Sequence, residues 1–169
     1  GGQGAAILAD SDEYGQVVLK TYEKSNPNAG TIEEHIAEME VLKELNKESN
    51  VMHAYDIFQD RDCVYCVNEL MSGGDLESLR EKAGSAGVPL TEDYFRNIFR
   101  KSLVGLDHIH EHDLMHCDLK EPNIMIKNTD LENPEIAIID FGLAHVCAGP
   151  GEAGGTPGYI PPETNARHI

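Results

Sequence analysis

The sequence predicts an α+β fold in two lobes: a small strand-rich N-terminal lobe carrying one long helix, and a mainly helical C-terminal lobe. Three observations carry that expectation. Apolar and β-branched runs separated by polar turns fill the first 71 residues, interrupted by one stripe of helical spacing after Thr31. Ser72-Gly73-Gly74 reads as a hinge. A second, longer stripe of helical spacing follows Thr91. The expected domains are therefore residues 1–71 and 72–169.

The apolar run Ala5 to Ala9, the polar turn Asp10 to Gly15 and the run Gln16 to Lys20 read as a hairpin. Ser25 to Gly30, with Asn, Pro and Gly, is a loop. Thr31 suits a helix cap, Glu33 and Glu34 suit the positive end of the helix, and Ile32, Ile36, Met39, Leu42 and Leu45 form the expected buried stripe. Val51 to Phe58 and Cys63 to Leu70 read as strands around an Asp60-Arg61-Asp62 turn. A short helix is expected from Asp75 to Lys82. Thr91 caps a long helix reaching about His112, with Phe95, Ile98, Phe99, Leu103, Leu106 and Ile109 on one side. Short strands are expected near Ile124 to Lys127 and Ile136 to Ile139. The Gly- and Pro-rich stretch from Ala148 to Pro162 is expected to be extended or mobile, and there is no internal repeat.

Composition narrows the function classes. With 40% apolar and 25% charged residues the chain falls in the globular range. Thirty acidic against 13 basic residues leave a net charge of −17, which stays negative even with all eight histidines protonated. No basic patch offers a track for nucleic acid or anionic lipid. Ala5 to Ala9 is far short of the roughly 18 apolar residues that cross a bilayer, and has neither the basic flank nor the cleavage site of a signal peptide. Four scattered cysteines form no disulfide framework, so a reducing, cytoplasmic compartment is expected.

Four separated pieces carry chemistry. Gly1-Gly2-Gln3-Gly4 would let backbone N–H groups approach a phosphate, or is simply a glycine turn. Lys20 on its strand and Glu38 on the following helix would form a cation–carboxylate pair near a cleft; otherwise Lys20 sits on a solvated strand face. His116-Cys117-Asp118-Leu119-Lys120-Glu121-Pro122-Asn123 and, after an apolar strand, Asp140-Phe141-Gly142 complete the set. A carboxylate to orient a nucleophile, a carboxylate and an amide oxygen for a metal, and an ammonium to neutralise a transferred group are what phosphoryl transfer requires. Cys63 and Cys66, three apart on a strand, point to opposite faces, and no second pair completes a tetrahedral metal site. His108 and His112, four apart on a helix with His110 and His116 nearby, are read as helix-end histidines over a core rather than a zinc pair.

These pieces in this order resemble the eukaryotic protein kinase family over essentially the whole chain. H-R-D-L-K-x-x-N appears as HCDLKEPN, D-F-G as Asp140-Phe141-Gly142, V-A-I-K as Val17-Val18-Leu19-Lys20, and A-P-E as Pro161-Pro162-Glu163, preceded by Gly155-Thr156-Pro157-Gly158-Tyr159. The resemblance implies a two-lobed kinase-like fold whose C-terminal lobe is truncated, with ATP and Mg²⁺ as cofactors and a protein as substrate. By the same resemblance, Asp118 orients the substrate hydroxyl and Lys120 stabilises the moving phosphoryl group. Asn123 and Asp140 hold Mg²⁺, Lys20 contacts the α/β-phosphates, and Glu38 pairs with Lys20. Glu69 and Met71 offer backbone groups to adenine, with Asn68 at the gatekeeper position. Gly1, Gly4, Ala6, Val18 and Met125 belong to the nucleotide pocket. Asp75 reaches ribose or a basic substrate side chain. Lys120 and Thr156 point to Ser/Thr specificity. The insert Asn128 to Glu135 and the Gly73-Gly74-Asp75-Leu76 segment look like the calcium/calmodulin-dependent group, including calcium-dependent protein kinases.

The chain departs from the family pattern at several places. Cys117 replaces an arginine that usually receives an activation-loop phosphate, and residues 143–155 contain no Ser, Thr or Tyr. Both absences imply a kinase that activation-loop phosphorylation does not switch on. Val18 is larger than the usual alanine and Ala6 smaller than the usual valine, a volume-conserving exchange that leaves room for ATP. If Gly4 is the last glycine of the loop and Gly1 the middle one, the first is missing. The family's remaining C-terminal helices, which cover the 91–112 helix, do not appear, so these residues alone are expected to have little activity. A calcium-binding regulatory segment would lie outside them. Two alternatives remain open: a pseudokinase scaffold, against which Lys20, Glu38, Asp118, Asn123 and Asp140 argue, and a small-molecule kinase, which lacks the D-F-G to P-P-E segment. A P-loop nucleotidase is excluded, because G-x-x-x-x-G-K-[ST] is absent.

Overall fold

The computed structural model describes residues 5–26, 31–46, 48–146 and 155–160. The chain divides between Leu70 and Met71 into two units. In the first, β1 (Ala5–Ser11), β2 (Gly15–Glu23), β3 (Ala54–Gln59) and β4 (Cys63–Glu69) form an antiparallel sheet in the order β1-β2-β4-β3. Ser11 Oγ accepts hydrogen bonds from the Glu13 and Tyr14 N–H groups, and Gly15 takes the left-handed φ of +71° that closes the first hairpin. The edge strand β1 is largely exposed, Ile7 and Leu8 included.

Helix α1 (Ile32–Leu45) starts with the expected cap, elaborated into a reciprocal box. Thr31 Oγ1 accepts from Glu34 N–H at 3.2 Å, and Glu34 Oε2 accepts from Thr31 N–H at 2.6 Å. Its buried face is His35, Met39, Leu42 and Leu45, which corrects the expected stripe: Ile36 remains 39% exposed. His35 takes the place because its ring stacks on Tyr22, centroid to centroid 3.7 Å, turning the inward face by one residue. The strand expected from Val51 begins only at Ala54. Asn46 clamps both polar groups of Ala54, accepting its N–H at 3.0 Å and donating to its carbonyl at 2.8 Å, while the Val51 side chain is fully buried.

The second unit carries a three-stranded sheet in the order β5-β7-β8, from β5 (Gly74–Asp75), β7 (Ile124–Ile126) and β8 (Ile136–Ile138). A two-stranded sheet pairs β6 (Leu114–Met115) with β9 (His145–Val146). Among its described residues the unit also carries helices α2 (Leu79–Ala86) and α3 (Glu92–Glu111). Leu79, Ala83, Ile98, Ile124, Ile126 and Ile136 form a core between helices and sheet. The helix expected at Asp75 to Lys82 starts four residues later. Asp75 is held in the sheet opposite Met125, and its carboxylate accepts from Ser78 N–H at 2.7 Å, so the chain turns before it coils.

Thr91 caps α3 as expected, accepting from Tyr94 N–H, but the face differs. Ile98, Ser102, Gly105 and Ile109 are buried, whereas Phe95, Phe99 and Leu103 are exposed, Phe99 by 66% and Leu103 by 63%. Small residues let the helix axis approach β8, and the Ser102 hydroxyl is satisfied by Ile98 O at 3.0 Å. Of the stretch expected to be extended, residues 155–160 instead form tight turns, with Tyr159 N–H bonded to Thr156 O at 3.0 Å; residues 148–154 and 161–162 lie outside the described residues.

Gly73 and Gly84 test this packing in opposite senses. A Cβ at Gly73 would clash with the Asn128 carbonyl oxygen and lie 2.5 Å from Ile126 Cγ2, whereas at Gly84, inside α2, it would meet none of the described residues within 4 Å. In urea unfolding, Gly73→Ala is expected to cost about 1–3 kcal/mol. Gly84→Ala is expected to add about 0.5–1 kcal/mol.

Candidate functional site

The loop His116–Asn123 runs from β6 to β7 and is anchored by a buried imidazole. His116 Nε2 lies 2.8 Å from Ile139 O, its Nδ1 accepts from Asp118 N–H at 3.3 Å, and its ring meets Phe141 edge-on at 4.9 Å. This network assigns the neutral tautomer with the proton on Nε2. Burial pushes the His116 pKa below its ordinary value, against the opposing pull of the Ile139 carbonyl and of the Asp140 and Asp118 charges. Cys117 takes a left-handed φ of +65°, which turns the next side chain back into the loop.

That side chain is Asp118, buried and fully engaged. Oδ1 accepts from Thr156 N–H at 2.8 Å and from the Thr156 hydroxyl at 2.6 Å. Oδ2 accepts from Lys120 Nζ at 2.6 Å and from Asn123 Nδ2 at 3.2 Å. Asn123 Nδ2 also donates to the Asp118 carbonyl at 2.8 Å, and Lys120 Nζ donates to Thr156 Oγ1 at 2.6 Å. Burial alone would raise the Asp118 pKa, but the hydrogen bonds from Lys120 and Thr156 and the lysine charge outweigh it and hold the carboxyl below the usual range.

Asp140 joins this group through the sheet. Ile139, just past β8, donates its N–H to Asn123 O at 2.9 Å and its carbonyl meets His116, so both ends of the loop fix the residue before Asp140. Asp140, like Cys117, has φ of +65°. Met125 lies opposite Asp75 on one side and Ala137 on the other, and Met71 is buried. One Asp75 oxygen is engaged in the turn before α2.

In the first unit, Lys20 and Glu38 act on the same two buried groups. Burial pushes the Tyr22 hydroxyl up to about 12, with Lys20 lowering it and Glu38 raising it. Burial likewise pushes the Cys66 thiol up to about 11, with the same two charges acting in the same senses. Lys20 stands opposite Ala6 and Cys66 in the ladder, its Nζ 5.5 Å from the Tyr22 ring centre. Val18 stands opposite Leu8 and Asn68. Asn68 is buried, and among the described residues its side-chain oxygen has no hydrogen-bond partner. Glu69 accepts from His53 N–H at 3.2 Å. Gly1 and Gly4 lie outside the described residues.

The contacts of two residues escaped the sequence reading. Thr156, noted there only as a sign of specificity, supplies two of the donors to Asp118. Tyr159 donates its hydroxyl to Glu121 Oε2 at 2.6 Å. A polar residue directly after a glycine in a Gly-Pro-rich segment is the one signal that pointed to either. Cys63 and Cys66 are free thiols, and His108 and His112 meet edge-on at 4.5 Å. Among the described residues no three His, Cys, Asp or Glu side chains converge to hold a metal by themselves, and no helix is long and apolar enough to cross a membrane.

Comparison with known proteins adds an independent finding. A family profile described as "Protein kinase domain" matches residues 1–168. A probable myosin light chain kinase of Dictyostelium discoideum is 30% identical over 90% of this chain and 38% of its own length. Human death-associated protein kinase 2 is 30% identical over 89% of this chain and 40% of its own length. A calcium/calmodulin-dependent protein kinase type 1 of Caenorhabditis elegans is 34% identical over 75% and 35% respectively. The chain thus spans about two fifths of the length of these relatives.

The buried His116 makes stability pH-dependent. Its folded pKa lies below the ordinary 6.5, so the unfolded chain protonates first as the pH falls. Its contribution is complete above 6.5 and declines below that, until the folded imidazole itself protonates. Urea midpoints measured from pH 7 downward should fall more steeply for the unsubstituted protein than for His116→Asn.

Proposed function

The chain belongs to the protein kinase domain family, and on that premise we propose that the protein containing it transfers the γ-phosphoryl group of ATP to a serine or threonine hydroxyl of a protein substrate. The observation that supports this most is the ionised Asp118 carboxylate, held by Lys120, Asn123 and Thr156 within one loop. Asp118 accepts the hydrogen bond of the substrate hydroxyl and orients it, after giving up one of its present donors. Lys120, already 2.6 Å from that carboxylate, places positive charge beside the group in transit. Thr156, donating to Asp118 and accepting from Lys120, holds both in register.

The donor set fits a magnesium nucleotide. Asn123 spends its Nδ2 on Asp118, leaving a hard amide oxygen, and Asp140 follows the residue bonded to Asn123. One amide oxygen and one carboxylate, without a full protein cage, suit a cation that completes its sphere with phosphate and water. ATP bound with Mg²⁺ supplies the phosphoryl group with its charge partly neutralised. Lys20 contacts the α/β-phosphates, and Glu38 pairs with Lys20 and holds it in place. The kinase pattern assigns nucleotide binding to Gly1, Gly4, Ala6, Val18, Asn68, Glu69, Met71 and Met125, and contact with ribose or a basic substrate side chain to Asp75. Residues 1–71 form the N-terminal kinase lobe and 72–169 part of the C-terminal one.

The proposal extends to context. The net charge of −17 favours substrates basic around the target hydroxyl, and neither nucleic-acid binding nor membrane insertion is part of the proposed function. The protein works in a reducing, cytoplasmic compartment, with any calcium-sensing segment outside residues 1–169. Activity does not require phosphorylation between residues 143 and 155, which carry no hydroxyl side chain.

Phosphate transfer by the whole protein to a basic Ser/Thr peptide tests this reading. Asp118→Asn is expected to lower kcat by about 10²–10⁴ while ATP binding persists. Chelating Mg²⁺ should abolish turnover, and phosphatase pretreatment should leave it unchanged. Full activity in Asp118→Asn would overturn the assignment; no transfer by the unsubstituted protein would leave the scaffold reading.

A further inference from the structure

Segment Gly155–Ile160 touches the loop Cys117–Glu121 at three successive points. Gly155, at φ +128°, passes so close that a Cβ there would lie 3.0 Å from the Cys117 carbonyl oxygen. Thr156 follows, bonded to Asp118 and Lys120. Tyr159 ends the turn with its hydroxyl on Glu121. The turn itself is closed by Tyr159 N–H on Thr156 O, so Thr156 and Tyr159 move together.

We propose that the Tyr159–Glu121 hydrogen bond is a latch that keeps Thr156 on Asp118, making Glu121 and Tyr159 positioning residues for phosphoryl transfer. The proposal rests on the kinase reading above and adds how the site is held in order. Two sequence facts call for such a device. The residue before Asp118 is Cys117, which brings no cation, and the stretch 143–155 has no hydroxyl to carry a phosphate. A phosphate–cation tie between this stretch and that loop position is therefore chemically excluded.

The local chemistry makes Glu121 a suitable post. It opens the short 3₁₀ turn Glu121–Asn123, where Pro122 fixes the backbone, so its main chain is rigidly connected to that of Asn123 and Lys120. The tyrosine hydroxyl holds the Glu121 pKa below the usual range, and Glu121 in turn pushes the Tyr159 hydroxyl up. An O–H donor on an ionised carboxylate at 2.6 Å is the short, charge-assisted kind. Tyr159 is 50% exposed, so burial does not secure it and the hydrogen bond does. Releasing it frees the turn, and with the turn go the two Thr156 donors that occupy Asp118 Oδ1.

Hydrogen exchange and steady-state kinetics on the whole protein separate this from a passive surface contact. In Tyr159→Phe and Glu121→Ala, amide exchange in peptides containing Thr156 should rise, and kcat should fall about three- to tenfold with KM for ATP unchanged. Glu121→Gln, which still accepts from the tyrosine, should restore both. Exchange unchanged in Tyr159→Phe would overturn the latch, and faster exchange with unchanged kcat would overturn its positioning role. If the unsubstituted protein transfers no phosphate, the kinase reading fails, and the exchange result still decides whether the latch exists.

Discussion

A single buried carboxylate organises the second unit. Taking Asp118 out of water is unfavourable unless its lone pairs are matched, and the fold matches them from three directions at once: Lys120 and Asn123 from its own loop, and Thr156 from nearly forty residues downstream. Each donor is placed by something else. Lys120 precedes the 3₁₀ turn that carries Asn123, Asn123 is held by Ile139, and Thr156 belongs to a turn tied down at Glu121. Removing Lys120 leaves the charge without its cation, and removing Asn123 or Thr156 leaves a carboxylate lone pair to be matched otherwise, which couples the site to the packing around it.

The same constraint explains the strained backbone. Cys117 and Asp140 both sit at φ +65°, a conformation that costs a non-glycine residue about 1–2 kcal/mol. Such strain persists where the surroundings over-determine it. Here His116 and Asn123 both bond Ile139, locking the residues that flank each strained position. The three short strands β5, β7 and β8 and the small-residue face of α3 supply the rigid floor on which this happens.

In the first unit the corresponding problem is a half-buried lysine beside the buried Tyr22 and Cys66. Lys20 and Glu38 exert opposite pulls on Tyr22 and Cys66, so neither charge acts on the core uncompensated. The capping box at Thr31 fixes where α1 begins, and the stacked Tyr22–His35 pair fixes how it is rotated, which together set the position of Glu38.

What sequence alone determined was local. Hairpin turns, the helix caps at Thr31 and Thr91, the isoleucine strands and the residues of the 116–123 and 140–142 motifs were legible because each depends on chemistry within a few neighbouring positions. Tertiary structure alone decided which face of each helix turned inward, since Ile36, Phe95, Phe99 and Leu103 have the right spacing but His35, Ser102 and Gly105 make the closer fit. It also decided where α2 begins, because Asp75 pairs with a strand some fifty residues away before the helix can start. Most of all it decided the hydrogen bonds of Thr156 and Tyr159 to the 116–123 loop: their partners are distant in sequence, and no periodicity or propensity records a contact that only chain closure creates.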